Sequence, residues 1–306
     1  MGLLDRAVDK LKAEQAEAPA RAKRPVADAG AAVEAQDEAH DGAQEDVELL
    51  RAETEVAFAA RPRGGVADLG LAELARRGYV VPGHPSDGVL MDEYRRIKRQ
   101  ILFKMAVEQA DAEHPLHGNL VMITSSIDGE GKTFVSTNLA FSMSLEKDRT
   151  ALLIDADVIR RGASRLLGLE QHLGLIDYLE GDVDDITSLF VEPKGVSNLR
   201  ILPAGTPNAN VNELLASDRM RELMEELALA DPERVVVLDS SPILMTSEAH
   251  VIAQLVGQVA LVVRADETPQ HHVDNALGYM QEDRFAGLIL NGASRNLAAD
   301  SYSDYY

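Results

Sequence analysis

Apolar positions are spread unevenly along this chain. From Leu120 onward, short unbroken apolar runs recur: LVMIT (120–124), ALLID (151–155), LRILP (199–203), VVVLD (235–239), ALVVR (260–264) and LILN (288–291). Between most of them lie stretches with helical periodicity, at 133–145, 211–229, 246–256 and 269–281. An unbroken run, unlike an alternating one, implies a strand buried on both faces. Such runs separated by helices predict an α/β fold, with a mostly parallel sheet and helices on both faces. Upstream, MDEYRRIKRQILFKMAVEQ predicts a long helix with Tyr94, Ile97, Ile101 and Met105 in one apolar stripe. VADLGLAELARRGYVV (66–81) predicts a helix and a turn, ended by Pro82 and Gly83.

The first 60 residues have a different pattern. Of them, 17 are Ala and the only aromatic is Phe58. Such a segment buries too little apolar surface to offset its ordering entropy. Residues 13–65 therefore read as a disordered Ala/acidic linker. Ahead of it, Leu4, Val8 and Leu11 fall at i, i+4 and i+7, with Arg6, Lys10 and Lys12 on other faces. This predicts a short amphipathic helix over 1–12, suited to a partner or to lipid headgroups. The domain plan is then 1–12 helix, 13–65 linker, 66–89 helix and turn linker, 90–298 globular domain, and 299–306 tail.

Composition narrows the function. The net charge of -21 argues against a general nucleic-acid binder, because phosphate backbones repel an acidic surface. With no Cys, disulfides and thiolate metal sites are excluded, which fits a reducing cytosol. No apolar run approaches the roughly 20 residues that a spanning helix needs, and the N-terminus has no signal-peptide apolar region. The chain is therefore expected not to cross a membrane by itself. His114, His117 and the pair His271-His272 lack companion ligands at helical or hairpin spacing, so a metal-centred enzyme is not expected.

The chemistry is concentrated in LVMITSSIDGEGKTFVSTNLAF, where a buried strand, a Gly-containing turn and a helix start follow in succession. Gly129, Gly131, Lys132 and Thr133 form the GxGKT core of a Walker A loop, with Ser126 at the place of the pattern's first Gly. Glycines let backbone N–H groups turn toward phosphate oxygens, and the new helix points its positive end at the same anion. Lys132 suits the β/γ-phosphates and Thr133 suits Mg²⁺. The expected nucleotide contacts are Ser126, Asp128, Gly129, Glu130, Gly131, Lys132, Thr133 and Phe134. Two other strands end in carboxylates: Asp155 and Asp157, followed by Arg160, and Asp239. The carboxyl ends of strands line the ligand crevice of an open parallel sheet. These three Asp can therefore surround one Mg²⁺ bound to ATP.

These residues resemble the bacterial tyrosine kinase family, a P-loop group unrelated to eukaryotic protein kinases. Ile127 stands where the septum-site and plasmid-partition ATPases carry a signature Lys. Ile154, Asp155, Ala156, Asp157 and Arg160 match the family's hydrophobic-Asp-x-Asp motif with its following basic residue. Leu238, Asp239, Ser240, Ser241 and Pro242 match its hydrophobic-Asp-Ser/Thr-Pro-Pro motif, except that Ser241 replaces the first Pro. Glu93, Arg96 and Arg99 match an E-x-x-R-x-x-R pattern that the family uses as a subunit interface in rings. The resemblance covers about residues 90 to 306. LAELARRGYVVP resembles the exosortase-associated branch, whose kinases stand free of their transmembrane chain-length partner and serve exopolysaccharide export.

The resemblance also explains the C-terminus. Three of the 7 Tyr lie in the last five residues, as Tyr302, Tyr305 and Tyr306. Family members end in a phosphorylated tyrosine cluster, so these three are the expected phosphoacceptors. Lys132, Asp155 and Asp157 are the implied catalytic residues. Asp155 serves either as proton acceptor or on Mg²⁺, while Thr133, Asp157 and Asp239 serve Mg²⁺. Arg160 neutralises charge, and Asn291 sits where related proteins meet adenine. The expectation is a Mg²⁺- and ATP-dependent tyrosine autokinase that forms a homo-oligomeric ring. It would be cytoplasmic, held near the inner membrane by a separate polysaccharide co-polymerase that activates it. The competing reading is a partition-type ATPase switch that phosphorylates no protein.

Overall fold

A computed structural model of the protein describes residues 61–110 and 117–293. The amphipathic segment 1–12, most of the linker, His114 and the three tail tyrosines lie outside the described residues. Among the described residues the chain forms nine α-helices and eight β-strands. They include β1 (Gly65–Ala67), α1 (Leu71–Arg76), α2 (Gly88–Ala110), β2 (Leu120–Ser125), α3 (Lys132–Met143) and β3 (Ala151–Asp155). After the short helices α4 (Gly162–Leu166) and α5 (Leu175–Glu180) come β4 (Val191–Pro193) and β5 (Leu199–Leu202). The chain continues through α6 (Val211–Leu215), α7 (Asp218–Ala230), β6 (Val235–Asp239), α8 (Ser247–Leu255), β7 (Gln258–Arg264), α9 (Gln270–Leu277) and β8 (Phe285–Asn291).

The strands form one sheet in the order β1-β4-β5-β3-β6-β2-β7-β8. From β5 to β8 every neighbouring pair is parallel, and the β4–β5 pair is antiparallel. Every residue of β2, β3 and β6 is buried, as their unbroken apolar runs require. On one face, α3 packs Val135, Leu139, Ala140, Phe141 and Met143 into a core shared with Tyr94, Ile101 and Met105 of α2. Lys98 lies on that same buried stripe. Its ammonium group pairs with Glu146 at 2.5 Å and donates to the Ser142 carbonyl at 3.0 Å. Gln258 fastens the next turn of α2 to the segment before β2 by donating to the Ile101 and Gly118 carbonyls at 3.0 and 2.7 Å.

Two readings of the sequence are corrected. Residues 66–89 are not a linker. Leu69, Leu71, Leu74, Tyr79, Val80 and Val81 are buried in the main core, and β1 pairs with β4. The Val80 N–H donates to Asn138 Oδ1 at 2.6 Å, which ties this segment to α3. The helical stretch 211–229 is two helices, because Ser217 caps α7 by accepting from the Met220 N–H at 3.2 Å. Tyr279 is 57% exposed and stacks on His250 with ring centroids 4.4 Å apart. Among the described residues, no helix is long and apolar enough to cross a membrane.

Candidate functional site

The site lies at the carboxyl ends of β2, β3 and β6, which are adjacent in the sheet. Sheet register alone brings two of the predicted carboxylates together: Asp155 and Asp239 are direct partners across the β3–β6 ladder. The loop from Ser126 to Gly131 leaves β2 and enters α3 beside them. Gly129 and Gly131 have φ of 83° and 98°, a left-handed conformation that side chains strain. Lys132 opens α3 and is 7% exposed. Its charge acts on Asp239, while the Thr133 hydroxyl donates to Asp239 Oδ2 at 2.8 Å.

The carboxylates are held apart by different donors. Asp155 is fully buried, and its Oδ2 accepts from both the N–H and the hydroxyl of Ser164 at 2.7 Å. Asp157 Oδ1 accepts from the Ser241 hydroxyl at 3.0 Å and from the Arg160 N–H at 3.3 Å. Burial, reinforced by the charge of Asp239, pushes the Asp155 carboxyl well above the usual carboxylate range. Burial also raises Asp239, against the opposing effects of the Thr133 hydrogen bond and the Lys132 charge.

The residues fit a magnesium ion brought in with a nucleotide. Asp155 and Asp239 each keep a buried second oxygen, Oδ1, with no hydrogen-bond partner. Two buried acceptors without a donor call for a partner that the protein itself does not supply. Among the described residues no group of three or more His, Asp or Glu is placed to hold a metal unaided. Mg²⁺ does not require one, since it takes one or two carboxylates and completes its shell with phosphate oxygens and water.

Several predicted contacts are placed differently from the simple motif reading. Glu130 points inward. Its carboxylate is 1% exposed, accepts from the Ile127 N–H at 2.8 Å and accepts the Thr268 hydroxyl. Asn291 donates from Nδ2 to the Glu130 carbonyl at 2.8 Å, so its amide holds the phosphate loop. The Phe134 ring packs on Tyr79 at 5.0 Å, leaving only its backbone near the loop. Arg160 forms an ion pair with Asp128 across the mouth of the site. Glu93, Arg96 and Arg99 are exposed on α2 and lie outside this cluster. The sequence reading missed Gly162, where a Cβ would stand 2.6 Å from Thr133 Oγ1, and Ser164, which anchors Asp155. Only their place just after the Asp-x-Asp motif marks them.

The Glu130 latch carries a prediction. Glu130→Ala leaves the Ile127 N–H and the Thr268 hydroxyl without their acceptor, and it frees the phosphate loop from the β7–α9 turn. Nucleotide affinity should fall by about tenfold, the equivalent of one lost charge-assisted hydrogen bond. Titration calorimetry with ATP would check this, and wild-type affinity would show that the backbone alone fixes the loop.

Comparison with known proteins agrees with this geometry. No protein-family profile matches the chain. It is 32% identical over 227 residues to the tyrosine-protein kinase etk of Escherichia coli, covering 74% of this chain and 29% of that protein. It is 29% identical over 239 residues to the tyrosine-protein kinase wzc of Salmonella typhi, covering 77% of this chain and 31% of that protein. The chain thus spans less than a third of the length of these curated relatives. Among solved structures, the kinase domain of VpsO superposes with a TM-score of 0.52 at 31% identity, over 66% of this chain and 98% of that domain. Near-complete coverage of a kinase domain, together with the phosphate loop and its paired carboxylates, shows that the chain belongs to the bacterial tyrosine-protein kinase family.

Proposed function

We propose that this protein is an ATP-dependent protein-tyrosine autokinase that phosphorylates Tyr302, Tyr305 and Tyr306, in trans within a ring of copies. The observation that carries the reading is the pair of orphaned carboxylate oxygens, on Asp155 and Asp239, beside a glycine-strained loop that leads into Lys132 and Thr133. Bound Mg–ATP supplies the γ-phosphoryl group. The chain's own residues do the rest. Backbone N–H groups of the loop and the start of α3 hold the phosphates. Lys132 offsets charge on the transferred group. The phenol oxygen bonds to phosphorus as the bond to ADP breaks. Its proton, held at a pKa of about 10 in free tyrosine, passes to an oxygen of the transferred phosphoryl group, since burial assigns the carboxylates of the cluster to the ion. Thr133, Asp157 and Asp239 are assigned to magnesium. Complete burial of Asp155 favours the same role for it, directly or through water, over contact with a phenol.

Glu93, Arg96 and Arg99 are assigned to assembly, supported by their exposure along one side of α2. The proposed setting is control of exopolysaccharide synthesis and export, at the inner membrane, with a separate membrane protein as activator. The test is mass spectrometry of the C-terminal peptide after incubation with Mg–ATP, beside a Lys132→Met control. Phosphate on the three tail tyrosines that vanishes in the control is the expected result. An unmodified tail alongside ATP hydrolysis, even with the activator's cytoplasmic segment added, would support the ATPase-switch reading instead.

A further inference from the structure

Ser241 is the one position where the third motif departs from the family pattern, and the structure gives that departure a contact. The residue is 2% exposed, just beyond β6. Its hydroxyl donates to Asp157 Oδ1 at 3.0 Å, and Asp157 is itself only 3% exposed. Its carbonyl accepts the Thr124 hydroxyl at 2.7 Å from the end of β2, with the Ser240 hydroxyl at 3.5 Å. Ser241 therefore joins the carboxyl ends of all three site strands: it is held from β2, follows Asp239 on β6, and reaches the carboxylate beyond β3. A proline at this position has no hydroxyl and cannot make the bond to Asp157.

From this we infer that Ser241 is a positioning residue for magnesium, acting through Asp157 in place of the usual proline; the inference rests on the kinase reading above. One Asp157 oxygen is occupied by the Ser241 hydroxyl and the Arg160 N–H, which fixes the rotation of the carboxylate and leaves the other oxygen for the ion or its water. Donors to a metal carboxylate set its orientation, and their loss commonly costs about 10–100-fold in metal affinity.

The experiment follows binding of a fluorescent ADP analogue to the full chain while Mg²⁺ is titrated, so it does not depend on turnover. In wild type, Mg²⁺ should tighten binding. Ser241→Ala and Ser241→Pro should each raise the half-saturating Mg²⁺ concentration by about tenfold, with binding in EDTA unchanged. In an Asp157→Asn background, Ser241→Ala should have no further effect, because the hydroxyl then has no carboxylate to orient. An equal cost in both backgrounds, or a fall in EDTA, would reduce Ser241 to a packing residue and overturn the inference. So would no cost at all in a Mg²⁺-responsive wild type. A wild type whose nucleotide binding ignores Mg²⁺ would overturn the kinase reading and this inference together.

Discussion

Gly131→Ala is expected to abolish nucleotide binding while leaving the fold intact. Gly131 holds φ at 98°, and a Cβ built there would lie 2.0 Å from Asn291 Nδ2 and 3.1 Å from its Cγ. The asparagine has no easy retreat, because its Nδ2 donates to the Glu130 carbonyl of the same loop at 2.8 Å. An alanine must therefore either rotate the loop out of its left-handed turn or break that hydrogen bond. Strain of this kind costs about 1–3 kcal/mol, and loss of the cradle adds to it, so affinity should drop by more than ~100-fold. Calorimetry with ATP reads the affinity, and circular dichroism checks that the helices remain. An affinity within about threefold of wild type would mean that the loop does not cradle phosphate as its geometry implies. Pairing the change with Asn291→Ala should recover part of the loss, because the clash is removed and only the backbone strain persists.

How much of this was readable from the residues alone depends on the length scale of each signal. LVMIT, ALLID and VVVLD are central strands with both faces buried, so their apolar runs are unbroken and unambiguous. The phosphate loop was readable for a different reason. Glycines, lysine and threonine at fixed offsets are a chemical requirement that tertiary context does not alter. The strands β1 and β4 have three residues each and exist through pairing with each other and, for β4, with β5, so no local pattern announces them. The same holds for Leu71, Leu74 and Val80, which read as a linker because the core they join is built from distant segments: Val80 bonds to Asn138 of α3, 58 positions on. Within the site, residue type marks position in the sequence but not the direction a side chain takes. Glu130 of the loop and Asn291 at the end of β8 both turn inward to hold it. Ser241 registered in the sequence only as a mismatch, because hydrogen bonding between strand ends has no linear signature.

Asp239→Asn should make the metal-free protein more stable and the enzyme inactive. Asp239 is fully buried beside Asp155 in the sheet register, and its carboxyl is pushed above its ordinary value chiefly by burial. A carboxyl with a raised folded pKa favours the folded state when protonated. Its ionisation subtracts stability as pH climbs from the unfolded value, near 4, through the folded one. Asparagine keeps the shape and an oxygen for the Thr133 hydroxyl but carries no charge to desolvate. The variant should therefore match wild type near pH 4 and exceed it at pH 8 by about 2 kcal/mol, seen as a higher Tm in EDTA. Phosphate transfer should move the other way, falling by ~100-fold or more, because the lost charge is the one that magnesium and Lys132 are placed to answer. A variant less stable than wild type at pH 8 in EDTA would show that Lys132 and Thr133 already compensate the carboxylate. The opposite signs separate this residue from an ordinary core position, where a damaging substitution lowers stability and activity together. A buried charge that costs the empty fold and is needed by the loaded one is held there by the reaction, and here it is held by the adjacency of β3 and β6.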